Sequence, residues 1–310
     1  MFMNKKLKNE QIVNANRIKQ LKLNELNKKI NDHNEKIRKS KTRKIFDCFI
    51  FYNENDIINY RLNILNDVVD FFIIVESTHT FSGKEKKIHS EDLKELFYKF
   101  KDKIIHVIVD DLPFKYPNIN IYNGDQWKNE IYQRNCIKKG LEKSNISDDD
   151  FIIIADVDEI PDKNTLKKIK NNDIPVFINT LEMDLYYYNL NSKIKNKWNS
   201  VKIVLYRLFK EKKLDCEYYR GYNCPIIKNG GWHLSYFGDK YFIKNKIENF
   251  SHQEYNKSEF TDLIKIENKI KNCIDLYDRK NDIIIKIPIN QNNYLPTDYD
   301  KHLEKFIIIF

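Results

Sequence analysis

No stretch of this 310-residue sequence approaches the roughly 20 consecutive apolar residues that a membrane-spanning helix needs. The opening MFMNKKLKNE lacks the apolar core of a secretory signal peptide. These two absences lead us to expect a soluble, cytoplasmic protein with no transmembrane anchor. No CxxC pair is present. The five cysteines (Cys48, Cys136, Cys216, Cys224 and Cys273) are odd in number and dispersed, which argues against a zinc site or a disulfide framework. In a reducing compartment the Asn-x-Ser triplets at Asn145, Asn249 and Asn256 are unused. There is no internal repeat, and no linker rich in Gly, Ser or Pro divides the globular part.

What is abundant is charge. A third of the residues are charged and the formal net charge is +9, its excess concentrated near the N-terminus. A basic balance permits acidic partners such as nucleotide phosphates or nucleic acid without selecting among them. Residues 1–43 hold neither Gly nor Pro, and Leu23, Leu26, Ile30 and Ile37 fall on a heptad seam with His33 between them. That pattern predicts a basic helical extension, a short coiled coil through which the chain could self-associate. No aromatic residues interleave its charges, so nucleic acid is not an expected partner.

From residue 44 to 310 the texture is that of one α/β domain. IFDCFIFY (45–52), DFFIIVE (70–76), IIHVIVD (104–110) and FIIIAD (151–156) are apolar runs of strand length. Helical patterns separate them: one from a cap at Asp56 through Asn66 that buries Ile58, Leu62 and Leu65, then 91–101 and 126–143. Strands apolar on both faces and alternating with helices predict a mostly parallel central sheet flanked by helices. Ligands of such sheets sit beyond the carboxyl ends of the strands. Asn53-Glu54, Glu76, Asp110-Asp111 and the Asp156–Asp158 turn all fall there. After residue 175 the pattern becomes irregular and aromatic, which suggests mixed strands and loops on one side of a cleft.

Three constellations carry chemistry. In FIIIADVDEIPD a buried-strand pattern runs straight into Asp156, Asp158 and Glu159. Like charges this close repel, so either the cluster is solvated or something cationic sits in it. Asp156 and Asp158 can present oxygens to a hard divalent ion, whose open positions suit a diphosphate. Arg134 lies near the centre of an apolar stripe of Trp127, Ile131, Ile137 and Leu141, and needs an anion, either a carboxylate from the sheet or a phosphate. GGWHLSYFGD (230–239) sets glycines beside Trp232 and His233. Glycines permit close backbone approach, and an aromatic face suits a sugar ring; an ordinary turn before a core strand fits as well.

Six ordered blocks between about residues 45 and 300 resemble glycosyltransferase family 17: DCFIFYNENDIINYRLNIL, VDFFIIVESTHTFSGKEKKIH, YQRNCIKKGL, FIIIADVDEIP, GGWHLSYFG and FSHQEYN. The family comprises β-1,4-mannosyl-glycoprotein β-1,4-N-acetylglucosaminyltransferases. The resemblance implies a GT-A-like, Rossmann-type fold, a UDP-sugar donor such as UDP-GlcNAc, a glycan or glycoprotein acceptor, and Mn²⁺ (or Mg²⁺) held by Asp156 and Asp158. His252, within the last block, is a candidate third metal ligand from across the cleft. Glu54, Glu76 and Lys84, at strand ends or in the TFSGK loop, join Arg134, Asp156 and Trp232 as candidates for the nucleotide-sugar pocket.

Transfer with inversion needs a base for the acceptor hydroxyl, and the candidates are Glu254, Asp239 and His233. The same acidic cluster would also serve a metal-dependent nucleotidyltransferase. A non-catalytic carbohydrate- or partner-binding protein is the third expectation.

Overall fold

The computed structural model describes residues 43–212, 214–280 and 283–308. The expected helical extension of residues 1–43, with its self-association seam, lies outside them except for Arg43. Strands β1 (Ile45–Phe51), β2 (Phe71–Ser77), β3 (Ile104–Val109) and β4 (Phe151–Asp156) form a parallel block in the order β4-β1-β2-β3. Helix α1 (Asn55–Leu65) links β1 to β2, α2 (Lys94–Lys99) precedes β3, and α3 (Asp125–Asn135) with α4 (Ile137–Glu142) leads into β4. α1 starts from Glu54 rather than Asp56. The Glu54 carboxylate accepts from the Tyr52 and Asn53 amides behind it instead of capping the helix.

Side-chain alternation sends each strand's apolar residues to both faces. Ile45, Phe49 and Phe51 of β1 pack with Ile58, Leu62 and Leu65 of α1. Phe46, Cys48 and Ile50 pack on the opposite face with Ile137 and Leu141 of α4. Burying each such side chain contributes about 1.5–3 kcal/mol. Asp47 shares the face of Ile45 and Phe49 and is fully buried.

Beyond β4 the sheet changes character. β5 (Glu159–Pro161) leads into α5 (Lys163–Lys170), and β6 (Ile178–Tyr187), β7 (Ser192–Ile194), β8 (Lys202–Leu205), β9 (Ile226–Ser235) and β10 (Ile284–Lys286) follow. β8 inserts antiparallel between β4 and β6, and β7 and β10 extend that edge, also antiparallel. The α/β expectation holds, but the continuous parallel block is β1–β4; the sheet as a whole is mixed. The later strands are short or, as in INTLEMDLYY and IIKNGGWHLS, broken up by polar residues and glycine, so their pairing could not be read from apolar runs.

Helices α6 (Tyr206–Lys212) and α7 (Cys216–Gly221) lie between β8 and β9, and α8 (Lys240–Asn249), α9 (Ser258–Thr261) and α10 (Leu263–Asn272) follow β9. Among the described residues no helix is long and apolar enough to cross a membrane.

β9 runs parallel to β6 and antiparallel to β5, with Glu159 opposite His233 and Ile160 opposite Trp232. The glycine pair makes this possible. A Cβ at Gly230 would lie 2.7 Å from the Leu181 backbone, and one at Gly231, whose φ is +147°, would lie 2.1 Å from the Ile160 carbonyl oxygen. Gly231→Ala therefore has to move β5 or β9 apart. We expect a loss of about 2–4 kcal/mol in urea unfolding, combining overpacking with backbone strain. A shift under about 0.5 kcal/mol would mean that the strands have room to spare.

Candidate active site

The acidic turn after β4 is held from beneath by one buried arginine. Arg61 of α1 binds Asp47 through Nε (2.8 Å) and Nη2 (2.6 Å). Its Nη1 donates to the carbonyls of Asp156 (2.8 Å), Val157 (3.1 Å) and Glu159 (2.7 Å). Three carbonyls converging on one nitrogen fix the turn's backbone and turn its carboxylates the other way. There they meet cations from three other helices.

Asp156 accepts from Nη2 of Arg134 through one oxygen and Nη2 of Arg220 through the other, both at 3.0 Å. Burial alone would raise its pKa, but Arg134 and then Arg220 hold it below the usual carboxylate range. Glu159, fully buried, receives Arg220 in a two-bond fork (2.7 and 2.9 Å) and the Trp198 indole N–H at 2.5 Å. Asp158 lies 2.9 Å from Lys246 Nζ and 3.5 Å from His233 Nε2. Burial opposes its ionisation, yet Lys246 and His233 push its pKa far down. Lys246 also approaches Glu54 at 3.3 Å. Burial disfavours its charge, but Asp158 and Glu54 raise its pKa above the lysine range. Arg134 carries two further carboxylates, Glu130 at 2.6 Å and Glu217.

Apart from the buried Glu159, these residues line a cavity of about 480 Å³ at the carboxyl end of the parallel block. Its other walls are aromatic, among them Tyr52, Trp127, Trp198, Tyr236 and Tyr277, and Lys86 stands at one side. Of the expected residues, Glu54, Arg134, Asp156, Asp158, His233 and His252 meet there. Of the two anticipated anions, Arg134 has the sheet carboxylate Asp156, and it also lines the cavity.

The rest lie elsewhere. Glu76 turns the other way at the end of β2, fully buried, where it accepts from the His89 amide at 2.5 Å and faces His106 and Lys86. Lys84 is exposed, and the lysine that reaches the cavity is Lys86, two residues on. Trp232 is core, packed at a tilt against the Tyr294 ring and donating to the Tyr294 carbonyl at 3.1 Å. Asp239 is exposed and caps α8 through the Tyr241 and Phe242 amides. Glu254 is 54 % exposed and outside the cavity, where it holds His252 Nδ1 at 2.6 Å.

Pattern reading missed Asp47, Arg61, Lys246, Arg220, Glu130 and Glu217, and gave Glu159 no site role. One signal was available. The chain has eight arginines against 46 lysines, and four of the five arginines after residue 44 (Arg61, Arg134, Arg220 and Arg279) hold the turn or line the cavity. Where lysine is so strongly preferred, a position that keeps a planar fork of donors is marked by chemistry.

The same geometry tests the expected metal centre. Both oxygens of Asp156 are taken by guanidinium groups, and Asp158 faces Lys246 and His233. His252 is paired with Glu254 and packs edge-on against Trp127 at 4.5 Å. Among the described residues no three His, Cys, Asp or Glu side chains are grouped to hold an ion. As placed, the donor set does not fit a metal centre. The cations in the acidic cluster are side chains.

The family described as glycosyltransferase family 17 matches residues 9–283. Beta-1,4-mannosyl-glycoprotein 4-beta-N-acetylglucosaminyltransferases of Rattus norvegicus, Homo sapiens and Mus musculus are each 27% identical over 135 residues. That match covers 42% of this chain and 24% of each relative, so the chain spans about a quarter of their length.

The Arg61–Asp47 pair generates its own prediction. Asp47→Asn keeps the side chain's shape but leaves the guanidinium charge uncompensated in a dry interior. We expect a loss of about 3–5 kcal/mol by urea unfolding, as for breaking one side of a buried pair. A loss below about 1 kcal/mol would show that the carbonyls alone satisfy Arg61.

Proposed function

The chain belongs to glycosyltransferase family 17, and from that premise we propose that its cavity binds a nucleotide-sugar donor and transfers the sugar to a hydroxyl of a glycan or glycoprotein. UDP-N-acetylglucosamine is the donor we propose, and we read the parallel β4-β1-β2-β3 block as the nucleotide-binding part of a GT-A-type fold. One observation carries this reading. The Asp156–Asp158 turn ends a central parallel strand, where a ligand of such a sheet belongs, and faces a cavity holding Arg134, Arg220, Lys246 and aromatic walls.

The chemistry follows from the side chains. In an inverting transfer the acceptor hydroxyl attacks the anomeric carbon opposite the departing diphosphate. Negative charge grows on that leaving group, and preorganised cations aimed at it lower the barrier. Arg134, Arg220 and Lys246 fill this role: their own carboxylates hold them in place, so little reorganisation is needed. No step is routed through a divalent ion, since Asp156 and Asp158 as placed are paired with side-chain cations. For the acceptor's proton, His233 is the one of the three expected bases that lines the cavity. Its Nε2 faces Asp158 and its ring packs on Trp198 at 4.7 Å, which orients the imidazole.

The test is a panel of nucleotide sugars incubated with glycan acceptors, with and without Mn²⁺, scored for both products. Release of free nucleoside diphosphate together with a glycosylated acceptor is the expected outcome. Pyrophosphate as the product would replace this reading with nucleotidyl transfer, and glycan binding without any donor turnover would leave a binding protein. In the same assay His233→Gln should lower kcat by about 10²–10⁴-fold, the usual contribution of a positioned base, with the donor KM little changed. A kcat within threefold of wild type would remove His233 from the reaction.

A further inference from the structure

Arg134 lines the cavity yet its side chain is only 2 % exposed, because carboxylates cover it. Three of them share one guanidinium: Asp156, Glu130 and Glu217. They are not held equally. Asp156 is fastened by a second arginine, Arg220. Glu130 sits one turn away on the same helix and accepts from the Ser251 hydroxyl. Glu217 is 44 % exposed, lies on the six-residue helix α7, and has Arg134 as its one hydrogen-bond partner among the described residues.

We propose that Glu217 is a built-in competitor for the donor's diphosphate: it occupies Arg134 in the free protein and gives way when the anion arrives. This rests on the donor-site reading above. Charge bookkeeping favours exchange over addition. Asp156, Asp158, Glu159, Glu54, Glu130 and Glu217 are served by Arg134, Arg220 and Lys246, so the cluster already carries more carboxylates than cations. A further anion added beside all six would be repelled. One that replaces Glu217 on Arg134 meets a guanidinium already oriented and sends the displaced carboxylate toward water, where α7 leaves it half exposed.

The consequence has an unusual sign, since removing a charged side chain from the cavity should tighten binding. Calorimetric titrations with UDP and with inorganic pyrophosphate, in EDTA and again in Mn²⁺, would compare wild type with Glu217→Gln and Glu217→Ala. Both variants should bind about two- to fivefold more tightly than wild type, the range set by the worth of a half-exposed ion pair. Their melting temperatures should stay within a few degrees of wild type, since Glu217 is in no core. Equal or weaker affinity in both folded variants, with wild type binding normally, overturns the competitor role alone. If wild type binds neither ligand in either buffer, the donor-site reading falls and takes the competitor role with it.

Discussion

Everything at the cavity rests on Arg61. Its three nitrogens bind the two Asp47 oxygens and three carbonyls of the turn between β4 and β5. A lysine could satisfy at most part of that set, because its three donors leave one point and cannot form a fork to a carboxylate while reaching sideways to a peptide turn. The guanidinium also lies over the Phe49 ring at 4.3 Å, which closes its remaining face. With the backbone pinned in this way, Asp156, Asp158 and Glu159 cannot relax away from one another. Their repulsion has to be answered by cations brought from elsewhere in the chain.

The answer comes from three separate segments. Arg134 arrives on α3, Arg220 on α7 and Lys246 on α8, and none of these helices precedes β3. Each cation is shared between carboxylates, so none can be removed without exposing more than one acid to its neighbours. The network is therefore both a fold constraint and a preorganised electrostatic surface. An anion entering the cavity finds guanidinium and ammonium groups already aimed and already desolvated, the condition under which such groups act most strongly on developing charge.

How much of this could be read from the sequence follows the same division. The parallel half was legible because its strands are buried on both faces: FIIIAD and IFDCFIF have no polar alternation to confuse them with surface strands. Asp156, Asp158 and Arg134 were legible because a charge beside or within an apolar pattern has to be compensated. Position at a strand end did not reveal which way a side chain points, and so Glu76, buried against His106, was grouped with Glu54, which does reach the cavity. An aromatic beside a glycine pair did not separate Trp232, which alternation sends to the core, from His233, its neighbour on the other face of β9. The partners of the acidic turn were hidden because they lie far along the chain. Asp158 and Lys246 are separated by 88 residues and Arg220 and Asp156 by 64, and no local pattern links them.

The mixed half of the sheet gives those distant residues their address. β9 can lie against both β5 and β6 only because Gly230 and Gly231 remove the side chains that would collide with Leu181 and Ile160. That close passage sets His233 opposite Glu159 in register and carries the chain directly into α8, which delivers Lys246 to Asp158 and Glu54. The acidic turn therefore acquires Arg220 and Lys246 only when the C-terminal half has docked on the parallel block. Until then three carboxylates stand together with Arg61 beneath their backbone and Arg134, from α3 of the parallel block, as the cation that meets Asp156. Docking is thus favoured by the same charges that would receive the donor. The irregular, aromatic, hard-to-read half of the sequence completes a site whose acidic core belongs to the legible half.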